Sequence, residues 1–183
     1  MKVIIGLGNP GGKYIKSRHN IGWMIIDELK ARVGADDFKE NKKFKALITE
    51  TNNPNDKNDK LILVKPLTFM NLSGETVATI KSFFKLSSED LIVVYDDIDL
   101  PLGELRFRSS GGPGTHNGMR SIVQHIGEDF PRLRFGIENR PEDLKSKIDL
   151  SDYVLGGFAK HETEIIENKI SESIETIFDR IKT

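Results

Sequence analysis

Lys2-Val3-Ile4-Ile5-Gly6-Leu7-Gly8-Asn9-Pro10-Gly11 begins as a continuous apolar run and breaks into glycines. A short run of this kind reads as a strand buried on both faces, the pattern of a parallel sheet. It is too short and too glycine-broken for a secretory signal, and no small-residue cleavage site follows it. Working outward, β-branched runs recur at 44–49, 61–64, 91–94, 105–107 and 133–137, and apolar stripes at helical spacing occupy 21–33, 73–84, 117–126 and 162–181. Strands that alternate with helices predict an α/β fold: a single-domain three-layer α/β/α arrangement over residues 1–183 with a mixed, mainly parallel twisted sheet. The close pairs near 44–64 and 105–137 supply the antiparallel neighbours. Residues 51–60, dominated by Asn, Asp and Lys, read as a mobile hairpin loop. In the last helix Ile166, Ile170, Ile174, Ile177, Phe178 and Ile181 share one face and should dock on the sheet.

The chain has 183 residues, 37% apolar and 30% charged. No apolar run approaches the roughly 18 residues that a membrane helix needs, so a soluble protein with no membrane partner is expected. The absence of cysteine excludes disulfides, a thiol nucleophile and a cysteine zinc site, and a cytoplasmic location is the expectation. Formal net charge is −1, but residues 141–183 hold six Lys/Arg against ten Asp/Glu, which leaves the first 140 net positive. An RNA-facing surface therefore belongs outside the last helix.

Five segments can carry chemistry. Gly6-Leu7-Gly8-Asn9-Pro10-Gly11 has the spacing of a dinucleotide fingerprint, yet Pro10, Gly11 and Gly12 continue a loop and the helix starts near Asn20. A pyrophosphate would find no helix N-terminus at these glycines, and they serve better to keep the loop low so that Asn9 can face a cleft. His19, just before an amphipathic helix, can act as a base if another group orients its second ring nitrogen. Tyr95-Asp96-Asp97-Ile98-Asp99 follows the most apolar strand, where open α/β sheets place their sites; one carboxylate suits the orienting role, whereas Asp97 reads as a solvated turn. No further acidic or histidine cluster completes a divalent-metal site.

Thr68-Phe69-Met70-Asn71-Leu72-Ser73 runs from a strand into a helix, with Ser73 a plausible cap and Phe69 able to stack on a base or ribose if a cleft opens beside it. Arg106-Phe107-Arg108-Ser109-Ser110-Gly111-Gly112-Pro113-Gly114-Thr115-His116-Asn117-Gly118-Met119-Arg120 joins alternating arginines, a glycine loop and a helix N-terminus, a combination that favours phosphate. Arg132, Arg134 and Arg140 follow and could track an RNA backbone.

Taken together these motifs resemble the bacterial peptidyl-tRNA hydrolase family. The likeness rests on Gly6 to Gly11, Tyr14 with Arg18-His19-Asn20, Thr68 to Gly74, Asp96 with Asp99-Leu100-Pro101 and Gly103, and His116-Asn117-Gly118. The resemblance implies hydrolysis of the ester between tRNA and a peptide or N-blocked aminoacyl group, for tRNA recycling in translation, by a monomer with no cofactor, no metal and no obligate protein partner. It implies that His19 is the catalytic base, that Asp96 holds it in its basic orientation and that Asn9 distinguishes blocked from free aminoacyl ends. It further implies that Asn71 and Asn117 hold the substrate, that Tyr14 and Phe69 contact the tRNA 3′ end, and that Arg108 and Arg134 meet phosphate of the acceptor stem. The glycine loop at 111–115 departs from the family's usual form. With no serine elbow and no cysteine, activated water is the natural nucleophile for such an ester, and an Asn9 or Asn117 amide is a candidate to polarise its carbonyl. The competing readings are an RNA-binding relative without hydrolysis, a dinucleotide oxidoreductase and a metal-dependent phosphatase or nuclease.

Overall fold

The structure, a computed structural model, describes residues 1–182. Seven strands form one sheet: β1 (Lys2–Gly6), β2 (Lys39–Asn41), β3 (Ala46–Asn53), β4 (Asp56–Pro66), β5 (Leu91–Pro101), β6 (Leu105–Arg108) and β7 (Arg132–Glu138), in the spatial order β2-β3-β4-β1-β5-β7-β6. The central pairs β4–β1, β1–β5 and β5–β7 are parallel, and β2–β3, β3–β4 and β6–β7 are antiparallel. Five helices cover it: α1 (Ile21–Val33), α2 (Ser73–Phe83), α3 (Asn117–Ile126), α4 (Leu150–Leu155) and α5 (Thr163–Arg180). The three-layer arrangement around a mixed sheet is the one expected, with parallel pairs at its centre and as many antiparallel pairs toward its edges.

Alternation along β1 divides the core. Val3, Ile5 and Leu7 pack with Val77 and Ile80 of α2 and Met119 and Ile122 of α3, while Ile4 packs with Ile21, Ile25 and Ile26 of α1 and Ile166, Ile174 and Ile177 of α5. Every residue named is buried on its own face, so a one-residue slip of β1 would expose both sets. The opening glycines have a packing reason beyond loop shape. Helix α1 crosses β1 so closely that a Cβ on Gly6 would overlap the Gly22 carbonyl, and one on Gly8 would meet the Trp23 ring at 2.7 Å. No helix begins at those glycines; two short 3₁₀ turns, Gly12–Tyr14 and Arg18–Asn20, precede α1.

Several local expectations change. Strands β3 and β4 extend through the polar stretch 51–60 as a paired hairpin whose tip is held: Asn53 donates to the Ile181 carbonyl (3.1 Å) and Asn55 to the Phe178 carbonyl (3.1 Å) at the end of α5. Strand β5 continues past Val94 to Pro101, so its acidic residues lie in the sheet, Asp96 opposite Phe135 and Asp97 opposite Gly136. Asp97 is therefore buried rather than solvated, and it accepts from Arg134 Nε at 2.6 Å. Ser73 is the buried first residue of α2, not its cap. Arg132 is 1% exposed at the base of the cleft and spends its guanidinium on main-chain carbonyls, so it does not stand out as a free surface cation. Among the described residues no helix is long and apolar enough to cross a membrane.

Candidate active site

Beyond β1 the chain leaves the sheet, and the fully buried Asn20 takes the place of a neighbouring strand. Its Nδ2 donates to the Asn9 carbonyl (3.0 Å) and its Oδ1 accepts from the Asn9 amide (2.9 Å). With its backbone gripped on both sides, Asn9 points its side chain toward the start of α2, where Oδ1 accepts the Met70 N–H at 2.8 Å. A backbone N–H can only meet the oxygen of an amide, so the Nδ2 end is fixed as the donor left for the cleft. It has no protein partner among the described residues.

His19 sits in the 3₁₀ turn between that loop and α1, 8% exposed. Its Nδ1 lies 2.9 Å from each oxygen of Asp96, which β5 delivers from the opposite side, 2% exposed. An ionised carboxylate accepts only, so Nδ1 carries the hydrogen and Nε2 keeps its lone pair, with no protein partner among the described residues. Burial alone would lower the basicity of His19; the Asp96 charge and hydrogen bond outweigh it and raise the pKa above the ordinary value. Burial would likewise raise Asp96, but His19 and then His116 hold its carboxyl well below the usual carboxylate range.

Residue His116 is the partner that the sequence reading did not assign. Its Nε2 is 3.0 Å from Asp96 Oδ1, and its ring stands 4.8 Å from the His19 ring. It also caps α3, since Nδ1 accepts the Met119 N–H at 3.1 Å. That bond fixes the tautomer: Nδ1 is the acceptor, so Nε2–H donates to Asp96. The carboxylate thus receives a hydrogen bond from each imidazole, and its orientation toward His19 is set by a helix terminus.

Ligand atoms of His19, Asp96 and His116 lie within 4.8 Å of one another, close enough to suggest a metal site. The donor set does not fit one. Coordination through His116 Nε2 would need its lone pair, which would move the hydrogen to Nδ1 and set it against the Met119 N–H. The three residues form a hydrogen-bonded set instead.

A cleft of about 1090 Å³ opens over these groups. Eight of the nine site residues from the sequence line it: Asn9, His19, Phe69, Asn71, Asp96, Arg108, Asn117 and Arg134. Tyr14 is not among them; it is half-buried in the Gly12–Tyr14 turn with Lys13 Nζ 4.7 Å from its ring centroid. Phe69 is 55% exposed, an aromatic face open to a ligand. Asn71 and Asn117 are exposed, and Arg120 reaches toward Asn117 Oδ1 at 3.4 Å. Arg108 is exposed and makes no ion pair among the described residues, whereas Arg134 is tied to Asp97.

One wall of the cleft was missed. Leu150, Ser151, Val154 and Leu155 of α4 close it opposite the glycine loop. The segment after α4 is clamped to the residue before His19: the Arg18 N–H donates to the Gly156 carbonyl (2.8 Å), and the Arg18 guanidinium bonds the Gly157 carbonyl and Glu162 Oε2, the latter at 2.7 Å. A signal for α4 was present in Asp149, whose side chain accepts from Asp152 N at 3.1 Å as an N-cap.

Comparison with known proteins follows the same outline. A sequence model described as peptidyl-tRNA hydrolase matches residues 3–182. Peptidyl-tRNA hydrolase of Brevibacillus brevis is 48% identical over 93% of this chain and 86% of its own length. That of Listeria welshimeri is 46% identical over 98% of this chain and 92% of its own. A crystal structure of a peptidyl-tRNA hydrolase in complex with N-propanol superposes with a TM-score of 0.88 at 31% identity, covering 100% of this chain and 89% of that one. The Acinetobacter baumannii peptidyl-tRNA hydrolase gives 0.85 at 31% identity, covering 97% and 86%. With most of both lengths matched, the chain belongs to the peptidyl-tRNA hydrolase family.

Proposed function

We propose that this protein hydrolyses the ester that joins a peptide, or an N-blocked aminoacyl group, to the 3′ end of tRNA, with His19 as general base to a water molecule and without a metal. The observation that carries the reading is the hydrogen bond from His19 Nδ1 to buried Asp96, which leaves Nε2 basic and open to the cleft. Nε2 takes a proton from water as the oxygen bonds to the ester carbonyl carbon. The carbonyl electrons collect on oxygen, within reach of the Asn9 Nδ2 donor. Collapse of the tetrahedral adduct breaks the bond to the ribose oxygen, which takes the proton back from His19. Asp96 carries the opposite charge while the imidazolium exists. General-base assistance of this kind contributes about 10²–10⁴ in rate.

Selectivity follows from the same groups. A peptidyl or blocked end presents a neutral amide that Asn9, Asn71 and Asn117 can meet, whereas a free aminoacyl end brings an ammonium that these amides solvate poorly. Phe69, on the cleft surface, and Tyr14, from the flanking turn, contact the tRNA 3′ end. Arg108 meets acceptor-stem phosphate directly, and Arg134 contributes from its place beside Asp97. The protein acts as a single catalytic unit, a cytoplasmic monomer that needs no protein partner.

The test is release of the acyl group from N-acetylaminoacyl-tRNA and from the unblocked aminoacyl-tRNA, in the presence of a chelator. Cleavage of the blocked substrate alone, at an undiminished rate in chelator, is the expected result. Loss of activity in chelator would return the metal reading, and tRNA binding without cleavage would leave an RNA-binding relative.

A further inference from the structure

Arg132 at the start of β7 is 1% exposed, the largest fully buried side chain in the protein, and no carboxylate pairs with it among the described residues. A buried cation without a counter-charge is costly unless its donors are satisfied, and here main-chain oxygens accept four hydrogen bonds from the guanidinium. Nε donates to the Phe130 carbonyl, Nη2 to the Glu128 carbonyl, and Nη1 to the carbonyls of both Gly111 and Gly112, while the guanidinium stacks 4.0 Å from the Phe130 ring centroid. The Gly111 N–H adds a bond to the same Glu128 carbonyl at 3.1 Å. One planar fork thus ties the loop that precedes α3 to the connection that follows it.

The tie sets the direction of the loop. Carbonyl and N–H of one peptide unit point opposite ways, so drawing the Gly111 carbonyl inward turns the Gly112 N–H outward. Gly112 lines the cleft, its N–H has no protein partner among the described residues, and Arg108 and Arg120 line the same cleft. A fixed donor in a cleft that two arginines also line suits a phosphodiester oxygen.

We propose that Arg132 is a positioning residue for substrate: by holding the Gly111 and Gly112 carbonyls it presents the Gly112 N–H to a backbone phosphate of the tRNA 3′ end. The proposal rests on the hydrolysis proposed above. Because the fork and not the charge does the holding, a lysine, with one ammonium and no planar fork, does not replace it.

The experiment compares native protein, Arg132→Lys and Arg132→Met on N-acetylaminoacyl-tRNA and on N-acetylaminoacyl-adenosine, an ester with no phosphate. The expected result for both variants is about a tenfold loss of kcat/KM on tRNA, carried by KM, which corresponds to one hydrogen bond to a charged group. The adenosine ester, kcat on tRNA and the pH profile should stay within about twofold, the scatter of such comparisons. An equal loss on both esters would mean a general structural role and overturn the proposal, as would full activity in Arg132→Lys or a loss carried by kcat. If neither variant folds, Gly112→Pro, which removes the N–H while also fixing φ, decides the matter against Gly112→Ala, whose Cβ has room at 3.5 Å from Glu128 Oε1 and which keeps the N–H. The proline should raise KM on tRNA and the alanine should not; equal behaviour would overturn the proposal. Native protein that cleaves neither ester would refute the hydrolysis itself, a separate outcome.

Discussion

Two hydrogen bonds to one carboxylate decide what His19 can do. Asp96 accepts from His19 Nδ1 and from His116 Nε2, and the second bond is enforced by the Met119 N–H on the far side of that ring. The raised pKa of His19 gives a signed expectation. The base works when neutral, so activity should rise with pH through a midpoint above 6.5, the ordinary value. Asp96→Asn removes the counter-charge and should move that midpoint down while lowering kcat by about 10²–10⁴, through loss of tautomer control. A pH–rate profile whose acidic limb stays in place would contradict the pairing. Folding stability runs the other way for His19: the contribution of a raised imidazole is fully present below 6.5 and is lost as pH rises through its folded value. That of Asp96, lowered, is present above 3.8 and lost as pH falls through its depressed value. His19, Asp96 and Asn9 were legible as candidates because each stands just after an apolar run or before a helix in a recognisable motif, although β5 itself continues past Asp96. Asn20 and His116 stood in those same motifs, but their work is to bond a main chain or a carboxylate distant in sequence, which spacing does not reveal. Arg132 and Arg134 look alike in sequence; only the fold buries one among carbonyls and ties the other to Asp97.

The elements with an apolar period were readable. Helices α1, α2, α3 and α5 and the inner strands match their stripes because each buries that face in one of two cores. Strand β2 is Lys39-Glu40-Asn41, a polar edge paired with β3, and carries no such pattern. Helix α4 has six residues, too few to show a period, and divides its apolar side chains between the cleft, lined by Leu150, Val154 and Leu155, and the edge of a core, where Tyr153 and Val154 pack. The hairpin tip was misread for the opposite reason: its polar residues looked like free loop, yet Asn53 is 2% exposed and holds the last turn of α5. Asn53→Ala should therefore lower stability by about 1–3 kcal/mol, the cost of leaving a buried acceptor unpaired, with hydrolysis unchanged in the folded protein. Urea unfolding reads this directly; an unmoved midpoint would show that the tip carries no weight.

On the scale of the whole molecule, the parallel order β4-β1-β5-β7 gathers the site. Asn9 follows β1 and Phe69 to Asn71 follow β4, while Asp96, in the middle of the longer β5, lies two residues beyond the level at which β1 ends, so residues far apart in sequence meet beyond the carboxyl ends of β1 and β4. Helix α1 returns His19 to that edge through the close crossing at Gly6 and Gly22, and α3 brings His116 and Asn117 from the other face. The fold class and the site's edge could be read from alternating strands and helices; the depth of the cleft could not, since α4 and the Arg132-held loop supply its walls. The account stands on His19 as the base. The measurement that tests it most directly is single-turnover hydrolysis of N-acetylaminoacyl-tRNA by native protein and by His19→Ala, with tRNA binding measured on both. The rate should fall by about 10²–10⁴ while binding is retained. A variant that binds tRNA and hydrolyses it at the native rate would contradict the account.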